Sequence, residues 1–310
     1  MLIMKNRILY FCCVYLFGLL CVRSSEFDRS QIAAGLISHL EGVKAIQYKS
    51  QCYEVDNSRP SAFLEWTEDT LRNKFKFWEV DVHNVVQFSS LRAFDGERLY
   101  WFLDKEKLLY TKIGDEILPS EIRNQMSILA PFEFLINEEK EDIWNSPQLG
   151  KILEQNTLKK VESKIKSIRN EQLNGLNCTV VELNGINRDR FLGIPVTYRI
   201  FLSVKDSFYP ISWSTYDTSN RKISEMQCEK LESFRTNSPK KIILPTKLTI
   251  KYYAPTKEAV LKSPSNTQIF TYSDIKINDI EEPDYAIDPS IADRLIDLDS
   301  KKSIAIPRDY

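Results

Sequence analysis

The stretch from Phe94 to Ile113 constrains the fold more than any other part of the chain. Its Asp95-Gly96 pair predicts a tight turn, because glycine adopts the positive φ that compact hairpin turns require. An unbroken apolar run from Leu99 to Leu103 follows, which predicts a strand covered on both faces. Four charged residues and a second apolar run then complete a predicted hairpin.

The rest of the chain repeats this β pattern on either side of a short break. Alternating or aromatic runs predict strands between residues 45 and 94, and again from Leu158 to Ile277. A helical spacing of apolar residues over 27–41 predicts an amphipathic helix, ended by Gly42, with His39 packed at the edge of the core. We therefore predict an α+β fold in which a curved antiparallel sheet is wrapped over helices.

The break in the β pattern predicts a small helical insert. Ile122, Met126 and Leu129 recur at helical spacing, and a second short helix is predicted over 147–155. The acidic cluster from Glu138 to Asp142 between them is typical of a solvated charge run.

The N-terminus resembles a secretory signal over residues 1–24. Lys5 and Arg7 precede an apolar run from Ile8 to Cys21, which is shorter than the roughly 20 residues of a spanning helix. An uncleaved anchor is the alternative, and lipidation at Cys21 is a weaker one. We expect a domain over 25–283, a tail over 284–310 that docks as a short helix or an extended edge, and a periplasmic or secreted location.

Charge and motifs argue against several classes of function. Without the three basic residues of the N-terminus the net charge of −1 becomes −4, so nucleic acid is not an expected partner. The chain has two histidines and no recognisable catalytic or phosphate-binding motif, so we expect no enzyme, metal or cofactor. Cys52, Cys178 and Cys228 have no zinc-site spacing and are expected to be buried thiols.

A sheet that is apolar on both faces leaves two possibilities open. Its aromatic side chains either form a solid core or enclose a cavity for an apolar ligand. Residue patterns alone do not choose between them.

Several segments resemble the LolA/LolB-like superfamily of periplasmic lipoprotein carriers. The resemblance rests on five stretches. They are the turn and aromatic hairpin FDGERLYWFLDKEKLLYT, the strand TLRNKFKFWEV before it, and the later stretches LNGLNCTVVEL, FYPISWSTYD and LPTKLTIKYY. It implies an unclosed β-barrel over the helical insert, and a carrier or receptor that sorts outer-membrane lipoproteins, binds lipid or lipoprotein acyl chains and works with a membrane complex.

The resemblance also implies a site. The expected wall of the acyl-chain cavity consists of Phe75, Phe77, Leu99, Trp101 and Met126. Arg72 is the expected gating residue, although the arginine of the family is usually followed by proline and here Asn73 follows.

Overall fold

The computed structural model describes residues 27–55, 58–113, 126–135, 148–154, 157–188, 195–235, 241–253, 264–280 and 285–307. Its helices are α1 (Arg29–Ser38), α2 (Gln148–Ile152) and α3 (Thr157–Lys164), with 3-10 helices at Ala130–Leu135 and Pro289–Ile291. Its strands are β1 (Ala45–Glu54), β2 (Ala62–Asp69), β3 (Asn73–Val80), β4 (Val86–Phe94), β5 (Arg98–Leu103), β6 (Leu108–Ile113), β7 (Ile165–Leu173), β8 (Leu176–Arg188), β9 (Pro195–Ser203), β10 (Tyr209–Tyr216), β11 (Lys222–Phe234), β12 (Ile242–Tyr252), β13 (Asn266–Ile277), β14 (Arg294–Asp297) and β15 (Lys302–Ala305).

These strands form one curved sheet of 15 strands, in the order β15-β14-β6-β5-β4-β3-β2-β1-β13-β12-β11-β10-β9-β8-β7. Neighbouring strands are antiparallel except for β6 and β14, which are parallel. The two end strands, β7 and β15, do not meet, so the barrel is unclosed. The predicted fold class is confirmed.

The concave face of the sheet packs on the helices and on the described part of the insert. One apolar core contains buried side chains from the strands and from the helices. Its helical members include Ile32 and Leu36 of α1, Val161 of α3 and Phe132 of the first 3-10 helix. The sheet also holds the insert by polar contacts, because Trp213 Nε1 donates to the Ala130 carbonyl over 3.1 Å. The core therefore lies inside the curve of the sheet.

Helix α1, Arg29–Ser38, lies within the predicted range 27–41 and is shorter at both ends. Asp28 accepts a hydrogen bond from the Gln31 backbone, and the Gln31 side chain accepts one from the Asp28 backbone, which satisfies two donors of the first turn. Gly42 has φ of +85° just beyond the helix. His39 is buried, its Nε2 lies 2.9 Å from the Ser207 carbonyl oxygen, and its ring contacts that of Tyr209. The predicted packing of this histidine is confirmed.

One predicted strand is partly wrong. The segment from Thr157 to Lys164 is helix α3, and the strand begins at Ile165. Thr157 and Val161 are both buried, and their spacing of four residues places them on one side of helix α3, directly before the buried Ile165. Val161 and Ile165 fit both a helix and an alternating pattern over such a short range, so tertiary packing decides the outcome.

The predicted insert is described in part. Helix α2 confirms the second short helix within 148–152. Ile122 and the acidic cluster at 138–142 lie outside the described residues, as do the predicted signal over 1–24 and the predicted boundary between residues 283 and 284. In the described part of the chain, none of the helices has the length and apolar character to span a membrane.

The three predicted cysteines are free thiols in the structure. Burial, followed by the charge of Glu54, raises the pKa of Cys52 to about 12. Burial also raises the pKa of Cys178 and of Cys228. All three side chains therefore remain protonated and unreactive near neutral pH, as expected of structural cysteines.

Candidate ligand-binding face

A row of large side chains crosses the concave face from β1 to β6. Each residue lies directly opposite the next in the strand register, so their side chains point to the same face. In order, the row is Tyr48, Trp66, Phe75, Arg92, Trp101 and Tyr110.

The side chains of this row stack on one another. The rings of Trp66 and Phe75 are 4.8 Å apart and nearly parallel. The Arg92 guanidinium then lies between two rings, 6.0 Å from the centroid of Phe75 and 4.7 Å from that of Trp101. Trp101 packs on Tyr110 with ring centroids 5.4 Å apart. A cation is thus built into an aromatic stack.

The burial of the row changes along the sheet. Phe75 on β3 is buried, whereas Trp101 and Tyr110 on β5 and β6 are half-buried. Leu103 and Leu108, which share this face by register, are half-buried as well. The concave face is therefore closed near β3 and partly accessible near β6.

The structure brings the predicted wall residues to this face. Phe75, Phe77 and Met126 are buried in one apolar core, which joins β3 to the insert. Leu99 and Trp101 lie on the same face through their pairing with Phe94 and Arg92. That these side chains line an acyl-chain cavity stays a prediction.

Arg72 lies away from this row, in the turn between β2 and β3. Its guanidinium pairs with Asp69 at 2.8 Å and lies 4.5 Å above the ring of Tyr285 in the tail. The gating role of Arg72 stays a prediction, and the structure places this arginine against the C-terminal tail.

Sequence reasoning missed the buried polar residues of the same face. Glu68, Asn73, Ser90 and Arg92 are all buried on the concave side of β2, β3 and β4. Burial lowers the pKa of Arg92 to about 10, so the side chain keeps its charge at neutral pH. The alternation in β4 places Ser90 and Arg92 on one face of the strand but does not show that this face is the concave one.

A separate groove of about 710 Å³ crosses the outer face of the sheet. Its lining includes the basic residues Lys49, Lys74, Lys76 and Lys276 and the acids Glu65 and Asp274. Lys49 pairs with Asp274 at 3.1 Å, and the Lys74 ammonium donates to the Ala286 carbonyl of the tail. The charged side chains that line this groove distinguish it from the predicted apolar cavity.

Comparisons with known proteins give similar folds at low identity. No family model matches the chain, and no curated protein matches it. Among solved structures, a DUF1329 family protein from Desulfovibrio piger is 11% identical over 82% of this chain and 93% of its own, with a TM-score of 0.47. A putative outer membrane lipoprotein-sorting protein domain from Vibrio parahaemolyticus is 13% identical over 83% of this chain and 95% of its own, with a TM-score of 0.46.

A LolA superfamily protein from Nitrosomonas europaea is 13% identical over 84% of this chain and 98% of its own, with a TM-score of 0.44. Such identities are too low to transfer a function, so we argue the function from the residues of this chain.

Proposed function

We propose that the protein is a carrier or receptor outside the cytoplasm that holds an acyl chain of a lipid or lipoprotein on the concave face between β3 and β6. A role in outer-membrane lipoprotein sorting, with a membrane complex as partner, belongs to this proposal. The location rests on the basic and apolar residues of the N-terminus, Lys5 to Cys21.

One observation carries the proposal, namely the change in burial along the aromatic row. A solid core would bury its aromatic rings evenly, whereas here Trp101 and Tyr110 remain half-buried beside the buried Phe75. Partly accessible aromatic and aliphatic side chains that continue into a core are a suitable surface for an apolar ligand.

The energy of an acyl chain explains why such a face is needed. Exposing a chain of about 14 carbons costs about 0.8 kcal/mol per CH₂, or roughly 11 kcal/mol in all. A soluble carrier must therefore cover nearly the whole chain. The predicted wall of Phe75, Phe77, Leu99, Trp101 and Met126 is apolar enough to do so.

The test is the binding of a fluorescent palmitoyl ester to the purified protein. We expect the wild type to bind the ester saturably and Trp101→Glu to lose this binding. At this half-buried position a carboxylate stays in contact with water, so the fold persists, but the charge disfavours contact with an acyl chain. The matched control is Trp78→Glu, which places the same charge on the outer face of β3, where Trp78 stacks on Phe63. This control should bind the ester like the wild type.

Two results would contradict the carrier. If the wild type binds no ester, and Trp101→Glu also fails to fold, then the concave face is a solid core and the chain is a structural or interaction protein. If the ester is hydrolysed, and activity is lost when a carboxylate is replaced, then the protein is a lipid hydrolase. A carrier returns the ester unchanged, which chromatography of the bound fraction measures.

A further inference from the structure

We propose that the ligand of the concave face is a single acyl chain with a small anionic head, and that Arg92, Ser90 and Trp101 bind this head. The inference rests on the proposed acyl-chain function and adds the chemical class of the ligand to it. A free fatty acid, whose head is a carboxylate, fits the site best.

The three side chains are close neighbours on one face of the sheet. Arg92 lies directly opposite Trp101, and its guanidinium is 4.7 Å from the Trp101 ring. Ser90 lies two residues before Arg92 on β4, so its side chain points to the same face. Neighbours of this kind have Cβ atoms about 5–8 Å apart. A small group placed between them can reach all three.

Two of these side chains have a polar atom that lacks a hydrogen-bond partner. Within the described part of the chain, the Oγ of Ser90, which is 1% exposed, has no partner, and the buried Nε1 of Trp101 has none either. A buried polar group without a hydrogen bond destabilises the folded state, so native proteins rarely leave one unpartnered. A ligand that accepts hydrogen bonds from Ser90 and Trp101 supplies the missing partner.

The chemistry of the three groups selects an anion. The Trp101 indole and the Arg92 guanidinium are donors without acceptor capacity, and the Ser90 hydroxyl also donates. Arg92 is 2% exposed and positively charged, and hydrogen bonds between a guanidinium and an anion are stronger than those between neutral groups. Three converging donors with one positive charge match the oxygens of a carboxylate or a phosphate.

Two features limit the size and charge of the head. Ser90 and Arg92 are deeply buried, so a head that contacts both has to be compact, which favours a carboxylate over a bulky phosphodiester. Glu68 is a buried acid of the same face and lies opposite Asn73, in the row next to that of Arg92. An ionised Glu68 would repel a second negative charge on the ligand, which again favours a monoanion.

The experiment compares three ligands of equal chain length by competition with the fluorescent palmitoyl ester. They are palmitate, hexadecyl phosphate and the neutral methyl palmitate. We expect the wild type to bind palmitate about tenfold or more tightly than methyl palmitate, as hydrogen bonds to a charged group predict. The ranking of palmitate against hexadecyl phosphate distinguishes a carboxylate head from a phosphate head.

Matched variants test which residues bind the anionic head of the ligand. In Arg92→Gln the preference for palmitate should fall to about onefold while methyl palmitate still binds. Arg98→Gln is the control, because Arg98 lies on β5 but points to the outer face, where it contacts Thr111. It should keep the preference of the wild type.

A second variant keeps the test valid if Arg92→Gln does not fold. Ser90→Ala removes an unpartnered buried hydroxyl, so it should melt at the same or a higher temperature than the wild type and yet bind palmitate several-fold more weakly. Ser89→Ala, on the opposite face of β4, should change neither property.

The outcomes separate this inference from the proposed function. Equal binding of palmitate and methyl palmitate, unchanged by Arg92→Gln and Ser90→Ala, would overturn the anionic head and leave the acyl-chain carrier intact. Absence of binding by all ligands, including the fluorescent ester, would overturn both.

Discussion

At the scale of single residues, the turn between β4 and β5 depends on two neighbours with different roles. Asp95 Oδ1 accepts hydrogen bonds from the backbone of Glu97 and Arg98 at 2.9 Å and 2.7 Å, which closes the turn. Gly96 adopts φ of +101°, a conformation that is strained for residues with a side chain. The sequence signal Asp-Gly thus predicted the hairpin correctly because its cause is local.

Gly96→Val tests the importance of this turn. A β-branched residue at positive φ should lower the free energy of unfolding by about 1–3 kcal/mol. Urea denaturation followed by tryptophan fluorescence measures the change. The control Glu97→Val lies next to it in the turn, is exposed and has no positive φ, so it should change stability by less than about 0.5 kcal/mol. Equal stability of both variants would show that the turn does not need glycine.

At the scale of elements, the C-terminal tail extends the sheet and covers part of its outer face. Strand β14 pairs with β6, and the Asp299 carboxylate accepts a hydrogen bond from the Ile113 backbone over 2.7 Å at the end of that strand. Ile287 and Ala292 of the tail are buried in a second apolar cluster with Ala93, Phe102 and Leu109 of β4, β5 and β6. The predicted docking of the tail as an extended edge is confirmed.

Ile287→Ala measures how much this cluster contributes. Ile287 is 2% exposed, so its truncation should destabilise the protein by about 2–5 kcal/mol. The matched control is Ile304→Ala in β15, where the side chain is 52% exposed and the expected change is below about 0.5 kcal/mol. Thermal melting of both variants gives the comparison. If both melt like the wild type, the tail does not stabilise the sheet.

The tail also explains why sequence reasoning missed Arg92. In β4 the apolar Leu91 and Ala93 point outward to the cluster under the tail, while Ser90 and Arg92 point inward. Local alternation favours the opposite orientation, with polar residues in water. Only the position of the tail, which is distant in sequence, determines which face of β4 is covered. Likewise, the register that joins Phe75, Arg92 and Trp101 involves three strands and cannot be derived from any one of them.

At the scale of the whole molecule, the strands and the helix α1 were predictable because the spacing of apolar residues and the turn residues are local signals in the sequence. The wall residues were predictable in part, since aromatic strands mark the core. Their assembly into one face was not, because it depends on the register across β3, β4 and β5 and on the packing of Met126 from the insert against the sheet. The ion pairs between strands on the outer face could not be predicted either, because they also depend on the register of neighbouring strands.

The pH dependence of stability tests these ion pairs. Burial raises the pKa of Glu182, but the hydrogen bonds and charges of Arg169 and Arg199, at 3.0 Å and 3.1 Å, outweigh it and hold the pKa below its ordinary value of 4.5. The same balance lowers the pKa of Glu225 beside Lys222 and Lys251. The unfolded chain therefore binds more protons than the folded protein in acid, so this stabilisation is complete above about pH 4.5 and is lost as the pH falls through the lower folded pKa values.

Glu182→Gln removes one of these groups. We expect the variant to be less stable than the wild type near neutral pH, and the difference to shrink as the pH falls from about 5 to about 3, because the wild-type carboxylate then becomes protonated. Urea denaturation midpoints across this range measure both curves. Glu97→Gln, at an exposed position, should follow the wild type throughout. A difference between Glu182→Gln and the wild type that stays constant with pH would mean that the arginines do not stabilise the charged form of Glu182.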